Sequence, residues 1–165
     1  KISFWSLFWC IVIIGIYLSF RFDFPFAMGA AFSLIHDVIL TVGFIGVARI
    51  EPSIPVVAAV LTIVGYSIND TIVIFDRIRE NSKDRTQMSL KATMDDAITQ
   101  TLSRTLVTSI LTMISVLALL LGGAESLRDF ALVLIFGIVA GTYSSIFIAA
   151  HTVQYYEEFV DKFRR

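Results

Sequence analysis

Residues 54–80 read IPVVAAVLTIVGYSINDTIVIFDRIRE. The part from 54 to 75 is almost wholly apolar, and it is as long as the roughly 20 residues that a helix needs to cross a hydrocarbon core of about 30 Å. It nevertheless contains Asn69 and Asp70, and it turns strongly charged from Asp76 onward. A carboxylate inside an apolar stretch of this length predicts a membrane helix that carries a functional polar group.

The rest of the chain repeats this pattern. Hydrophobic residues make up 56% of the 165 residues and charged residues only 16%, and the mean hydropathy is +0.80. These values exclude a disordered chain, and a net charge of −1 without a basic patch argues against nucleic-acid binding. The sequence predicts an all-α membrane protein, one transmembrane domain over 1–165 with five spans at about 2–20, 24–48, 54–75, 104–121 and 130–150.

The thirteen Lys and Arg residues indicate the orientation of these spans. Five spans place three of the thirteen on one side of the membrane and ten on the other. Since positive charge favours the cytoplasmic side, the N-terminus is expected outside the cell membrane and the C-terminus in the cytoplasm. An N-terminus outside the membrane and the lack of an initial Met lead us to expect that a span and an external domain precede this sequence.

The long cytoplasmic connection, 76–103, contains a helical pattern. Apolar side chains recur at helical spacing between charged ones, at Leu90, Met94, Ala97, Ile98 and Thr101. This pattern predicts an amphipathic helix at the membrane surface that runs into the fourth span; a solvated helix without a membrane role is the alternative. Residues 76–80 are most simply a solvated charge run.

Two further polar sites lie inside predicted spans. They are His36 and Asp37 in the second span and Arg104 at the start of the fourth. At about 1.5 Å rise per residue, Asp70 and Arg104 differ in depth by only about 5 Å. An arginine side chain can bridge that gap, so Asp70 with Arg104 as counter-ion could load and release a proton.

Neighbouring polar residues extend this interpretation. Helical spacing predicts a polar face on the fourth span, formed by Arg104, Thr108, Thr112 and Ser115, and one on the third, formed by Thr62, Tyr66, Asn69 and Asp70. Asn69 would orient the carboxylate, and His36, Asp37 and Thr108 would surround the relay. The alternatives are that Asp70 is only a structural acid, that Arg104 snorkels to the surface, and that His36 and Asp37 only hold helices together.

Other chemistry has no support in the sequence. A phosphate-binding loop, a dinucleotide fingerprint and a metal-ligand cluster are all missing, and Cys10 is the one cysteine. We therefore expect neither an enzyme nor a cofactor or metal site. Gly137 and Gly141 form a GxxxG pattern in the fifth span, which permits close helix packing.

Three motifs resemble one known family. The segment GYSINDTIVIFDRIRE at 65–80 closely resembles the signature of the SecF family of bacterial protein-export membrane proteins, which belongs with SecD to the RND superfamily. IHDV at 35–38 and QTLSRTLVTS at 100–109 are similar to the same family. The resemblance covers essentially the whole chain and implies the last five of six spans, without the first span and the periplasmic domain that follows it.

The resemblance also implies a function. Members of the family pair with SecD in a proton-driven motor, which works beside the SecYEG channel and the SecA ATPase on preproteins crossing the bacterial inner membrane. The family's intramembrane aspartate corresponds to Asp70 and its essential arginine to Arg104. Two rival functions remain: a small-molecule exporter of the same superfamily, for which the short loops 49–53 and 122–129 offer no substrate domain, and a purely structural membrane subunit.

Overall fold

The computed structural model describes the backbone of residues 2–84 and 89–164, and the side chains of 5–82, 89 and 91–156. Every regular element in these ranges is helical. The elements are α1 (Ile2–Arg21), α2 (Phe24–Val47), α3 (Ile54–Asp84), α4 (Leu90–Gly122), a short 3-10 turn (Glu125–Leu127) and α5 (Arg128–Arg164). The predicted all-α membrane fold is confirmed.

Helix boundaries coincide with the expected start and stop chemistry. Pro25 stands in the first turn of α2, where its missing N–H breaks no helical hydrogen bond. The Ser89 hydroxyl accepts the Ala92 amide and caps α4 at 3.3 Å, and Gly123 ends the same helix. Arg49 ends the turn after α2 with a φ of 54°, a left-handed conformation typical of the residue that terminates a helix.

Within the described residues, four helices are long and apolar enough to cross a membrane: α2, α3, α4 and α5. The described part of α1, Trp5–Arg21, is apolar but shorter, so a membrane-spanning α1 stays a prediction. Large apolar side chains such as Ile39, Val107 and Val139 are exposed on the outer faces, as expected for helices that are solvated by lipid.

Helix α5 lies at the centre of the bundle and packs against α2, α3 and α4, whereas α1 packs at the edge against α2 and α3. Gly137 and Gly141 make the α3–α5 contact close. A Cβ on Gly137 would overlap Cδ1 of Ile63, and one on Gly141 would lie 3.3 Å from Cβ of Ser67. The GxxxG pattern therefore serves packing inside this chain.

The amphipathic segment predicted in the connection is helical and is the first part of α4, which runs unbroken for 33 residues. Its apolar side chains Met94 and Ala97 are buried in one cluster with Ile74 and Ile78 of α3, so this face packs against protein. The residues 76–80 are also less solvated than expected, because Ile78 is fully buried and Asp76 pairs with Arg21.

The interior has three levels. One apolar cluster includes Val60 and Ile63 of α3 with Leu134 and Ile138 of α5. A second cluster includes Ile74 and Phe75 of α3 with Ala149 and Val153 of α5. Between them, along both helices, lies a polar layer, whose buried members are Ser33, Asp37, Thr41, Ser67, Asp70, Thr71, Thr101, Thr105, Ser109, Ser144 and Ser145.

Candidate functional site in the polar layer

Asp37 is the best-connected residue of the polar layer. Its side chain is completely buried, and its Oδ2 accepts hydrogen bonds from the hydroxyls of Ser67 on α3 at 2.5 Å and of Ser144 on α5 at 2.7 Å. The Ser33 hydroxyl donates in turn to Ser144 at 3.1 Å. One carboxyl group thus ties α2, α3 and α5 together at mid-bundle.

His36 completes this cluster. Its Nδ1 lies 3.2 Å from Oδ1 of Asp37, and its side chain is 31% exposed while that of Asp37 is fully enclosed. The two residues that the sequence analysis singled out in α2 are therefore in contact. His36 also connects the buried carboxyl group with the surface of the chain.

Asp70 lies in the same layer but has different surroundings. It is 4% exposed, and its buried Oδ2 has no hydrogen-bond partner among the described residues. A buried polar atom without a partner costs about 1–3 kcal/mol, so it calls for an explanation, of which a functional role is one. Asp70 is three residues beyond Ser67 on α3, one helical turn from the Asp37 cluster.

The structure does not join Asp70 directly to the residues predicted to act with it. Arg104 is exposed and is close enough to influence Asp70 electrostatically. The ion pairs between described side chains are Arg21–Asp76, His36–Asp37 and Arg77–Glu80, so Asp70 and Arg104 form none. Asn69 is also exposed, and no hydrogen bond connects it to Asp70.

Helix α4 turns a different face inward from the one that the spacing of Arg104 and Thr108 predicts. The Thr108 hydroxyl bonds to the Arg104 carbonyl at 2.9 Å, and Thr112 and Ser115 likewise bond to their own helix. The buried face instead carries Thr101, Thr105 and Ser109. Thr108 therefore makes no hydrogen bond to the Asp70 or Asp37 side chains.

A second hydroxyl chain crosses the layer, and the sequence analysis missed most of it. The Tyr66 hydroxyl donates to Ser109 at 3.0 Å, and Ser109 bonds to Thr142 at 2.8 Å. These three residues link α3, α4 and α5. Tyr66 was expected to face the interior, but no sequence signal distinguishes Ser109 and Thr142 from the other hydroxyl residues of their helices.

In the part of the chain that the structure describes, no group of three or more His, Cys, Asp or Glu residues could hold a metal ion. The expectation that the chain uses neither a metal nor a cofactor stays a prediction. The chemistry that this layer supports is the binding and transfer of protons, because it holds carboxyl, imidazole, phenol and hydroxyl groups.

Comparison with known proteins identifies the family. The profile described as "Protein export membrane protein SecD/SecF, C-terminal" matches residues 1–159. The chain belongs to the SecD/SecF family. The resemblance of the three motifs to this family is thereby confirmed.

Curated SecD/SecF relatives agree with this membership. The chain is 46% identical over 137 residues to protein translocase subunit SecF of Rickettsia akari, covering 83% of this chain and 44% of the relative. It is 49% identical over 140 residues to that of Calditerrivibrio nitroreducens, covering 84% and 46%. The chain thus spans about half the length of the relatives it matches.

A solved structure of the SecD/SecF family has the same fold. The crystal structure of SecDF in its super-membrane-facing form superposes with a TM-score of 0.88 at 43% identity. The match covers 93% of this chain and 21% of that one. The five-helix arrangement is therefore that of a part of SecDF.

Proposed function

We propose that this chain is part of a subunit of a protein-export motor in the bacterial inner membrane, driven by the proton-motive force. The observation that carries the proposal is Asp70, a carboxyl group buried inside a membrane helix with an unpartnered oxygen. An ionisable group at such a depth is costly and marks proton pathways in membrane proteins. The family's relatives are named as translocase subunits, which makes polypeptide export the process to which the proton is coupled.

In this mechanism Asp70 takes up and releases the proton. Arg104, which stays charged, acts as a counter-ion that approaches the carboxylate in one conformation of the motor and withdraws in another. The missing ion pair then corresponds to the withdrawn arrangement. Asn69 orients the carboxyl group when the helices close, and Thr108, together with His36 and Asp37, forms the surrounding shell.

The partner that completes this site is SecD. Asn69 and Arg104 are both exposed on the chain, and polar or charged side chains left in contact with lipid inside a membrane are costly. A polar helix of a second protein would cover them, and the match to SecDF supports SecD as that protein. The wider assembly comprises the SecYEG channel, SecA and the translocating preprotein, with lipid around the outer helices.

The test is proton uptake and preprotein export by vesicles that contain the complete complex. Asp70→Asn keeps the shape of the side chain but cannot titrate, so both activities should be lost while the complex still assembles. Arg104→Lys, which loses the planar fork, should reduce both, and Arg104→Met should abolish both. Asp95→Asn, on an exposed face of α4, is the matched control and should retain both.

The same assay separates the two rival functions. A structural subunit would export normally with Asp70→Asn, and no proton uptake would depend on Asp70. A small-molecule exporter would show proton uptake that responds to a small solute but not to a preprotein. Either result would reject the export motor.

A further inference from the structure

We propose that His36 and Asp37 form a second proton-binding site, separate from Asp70, with one exchangeable proton held between Nδ1 of His36 and Oδ1 of Asp37. The two atoms are 3.2 Å apart. The proposal does not depend on Asp70 carrying the proton flux, because it concerns a different carboxyl group with its own hydrogen bonds.

The hydrogen bonds of Asp37 determine where this proton lies. Oδ2 already accepts the hydroxyls of Ser67 and Ser144, and two donors occupy the two lone pairs of that oxygen. A proton on the carboxyl group must then be on Oδ1, where the acceptor is Nδ1 of His36. The next ring nitrogen along the same path, Nε2, makes no hydrogen bond in the described part of the chain.

The same heavy-atom contacts serve both protonation states. In the neutral state Oδ1–H donates to Nδ1, and His36 carries its own proton on Nε2. When Nε2 releases that proton to water, Nδ1 takes the proton from Oδ1, which leaves an Asp37 carboxylate and a neutral histidine. One proton leaves and one negative charge remains, and the carboxylate then accepts three donors: Ser67, Ser144 and Nδ1–H.

No described Lys or Arg side chain forms an ion pair with Asp37, so its protonation state can change. On α2 the neighbour is His36. On α3 the ionisable residues nearest Ser67 in sequence are Tyr66, whose hydroxyl donates to Ser109, and Asp70, three residues beyond Ser67. On α5 the residues around Ser144 that face inward are Gly141 and Ser145, neither of which is ionisable. The ion pairs formed by described Lys and Arg side chains involve Arg21 and Arg77, not Asp37. A fixed cation would hold Asp37 permanently ionised, whereas a histidine can gain and lose a proton.

The proton is exchanged through one residue, and the charge on Asp37 affects the neighbouring helices through two others. His36 is partly exposed while Asp37 is fully enclosed, so protons enter and leave through the imidazole ring. The charge on Asp37 sets the strength of its hydrogen bonds to Ser67 of α3 and Ser144 of α5, because a carboxylate binds hydroxyl donors more strongly than a neutral acid does. Protonation of this site therefore loosens the junction of the three helices.

The test is infrared titration of the complete complex in lipid nanodiscs, with Asp70→Asn in every sample so that the Asp70 carboxyl group contributes nothing. A pH-dependent carboxyl band should still be present, and Asp37→Asn should remove it. Asp95→Asn should leave it unchanged. His36→Gln, which keeps a polar contact but cannot pass a proton, should slow the exchange of this band in D2O.

Two results would overturn the second site. One is a spectrum that is the same with and without Asp37→Asn, and the other is an Asp37 band that stays constant over the whole titration. If Asp37→Asn fails to assemble, Ser144→Ala provides the measurement, since removal of one donor must shift the band and an unshifted band contradicts the assignment. Because Asp70 is absent throughout, these outcomes leave the export proposal untouched, and a failed export assay leaves this one untouched.

Discussion

Nη2 of Arg21, the last residue of α1, lies 2.7 and 2.8 Å from the two carboxylate oxygens of Asp76 on α3. This ion pair connects the peripheral helix α1 to α3 of the bundle. Both side chains are partly exposed, at 38% and 42%. The guanidinium of Arg21 lies over the aromatic ring of Phe22, with its central carbon 5.0 Å from the ring centroid.

The Arg21–Asp76 pair should contribute little to stability, because partly exposed ion pairs are worth about 0–1 kcal/mol. We expect a double-mutant cycle of Arg21→Gln and Asp76→Asn, followed by thermal unfolding in detergent, to give a coupling energy within that range. Arg79→Gln, an exposed neighbour, is the control. A coupling above about 2 kcal/mol would mean that the pair is desolvated in the folded protein.

Gly137→Ala should destabilise the chain by about 1–3 kcal/mol, the usual cost of overpacking a core. The added methyl group would overlap the side chain of Ile63, which is itself buried. Gly46→Ala is the matched control, because nothing lies within 4 Å of its position. The measurement is the melting temperature of the purified protein.

A rescue experiment identifies the cause of the Gly137 effect. Ile63→Ala removes the atoms that the new methyl group would meet, so the double variant should be no less stable than Ile63→Ala alone. If the double variant is less stable by the full Gly137→Ala cost, the GxxxG face meets something other than α3.

Ser109→Ala should cost about 1–2 kcal/mol, because it breaks two hydrogen bonds and deprives the Tyr66 hydroxyl of its acceptor. Ser115→Ala is the control: its hydroxyl is exposed and bonds only to the Leu111 carbonyl of its own helix. Chemical or thermal unfolding measures both. Equal effects of the two changes would show that the Tyr66–Ser109–Thr142 chain makes no special contribution.

The orientation of the spans can be tested by cysteine labelling in intact cells, in a Cys10→Ala background. Ser82→Cys, near the end of α3, should resist an impermeant thiol reagent, whereas Ser126→Cys, between α4 and α5, should react; both serine side chains are exposed. The reverse pattern would invert the topology that the ten-to-three distribution of Lys and Arg predicts.

Hydropathy predicted the helices well, because a bilayer requires a long apolar surface on each of them. The rotation of each helix about its axis was harder to predict. Helices in lipid are apolar on all sides, and a threonine facing lipid can satisfy its hydroxyl with a carbonyl of its own helix, as Thr108 and Thr112 do. Two threonine–serine faces of α4 were therefore indistinguishable in the sequence, and only the structure shows that Thr105 and Ser109 face inward.

For the ionisable residues, too, the sequence predicts the position along the helix but not the side chains that they contact. Their depth in the membrane follows from counting residues, which predicts that Asp37, Asp70 and Arg104 are polar groups within apolar helices. Their partners depend on the packing of α2 and α3 against α5, which the small residues Gly141 and Ser144 make possible. Since serine and glycine are common in membrane helices, nothing in the sequence marked Ser144 as a partner of Asp37.

The length of α3 and α4 has a mechanical consequence. Their 31 and 33 residues extend to about 46 and 50 Å, well beyond a hydrocarbon core of about 30 Å. The ends that the connection joins are held together by Met94 and Ile78 in the core and by Arg77 with Gln100 at the surface. A force applied at these ends acts on two unbroken helices. It therefore reaches Asp70 and Arg104 as a tilt of each helix or a shift along its axis, because neither helix has a break that would absorb the movement.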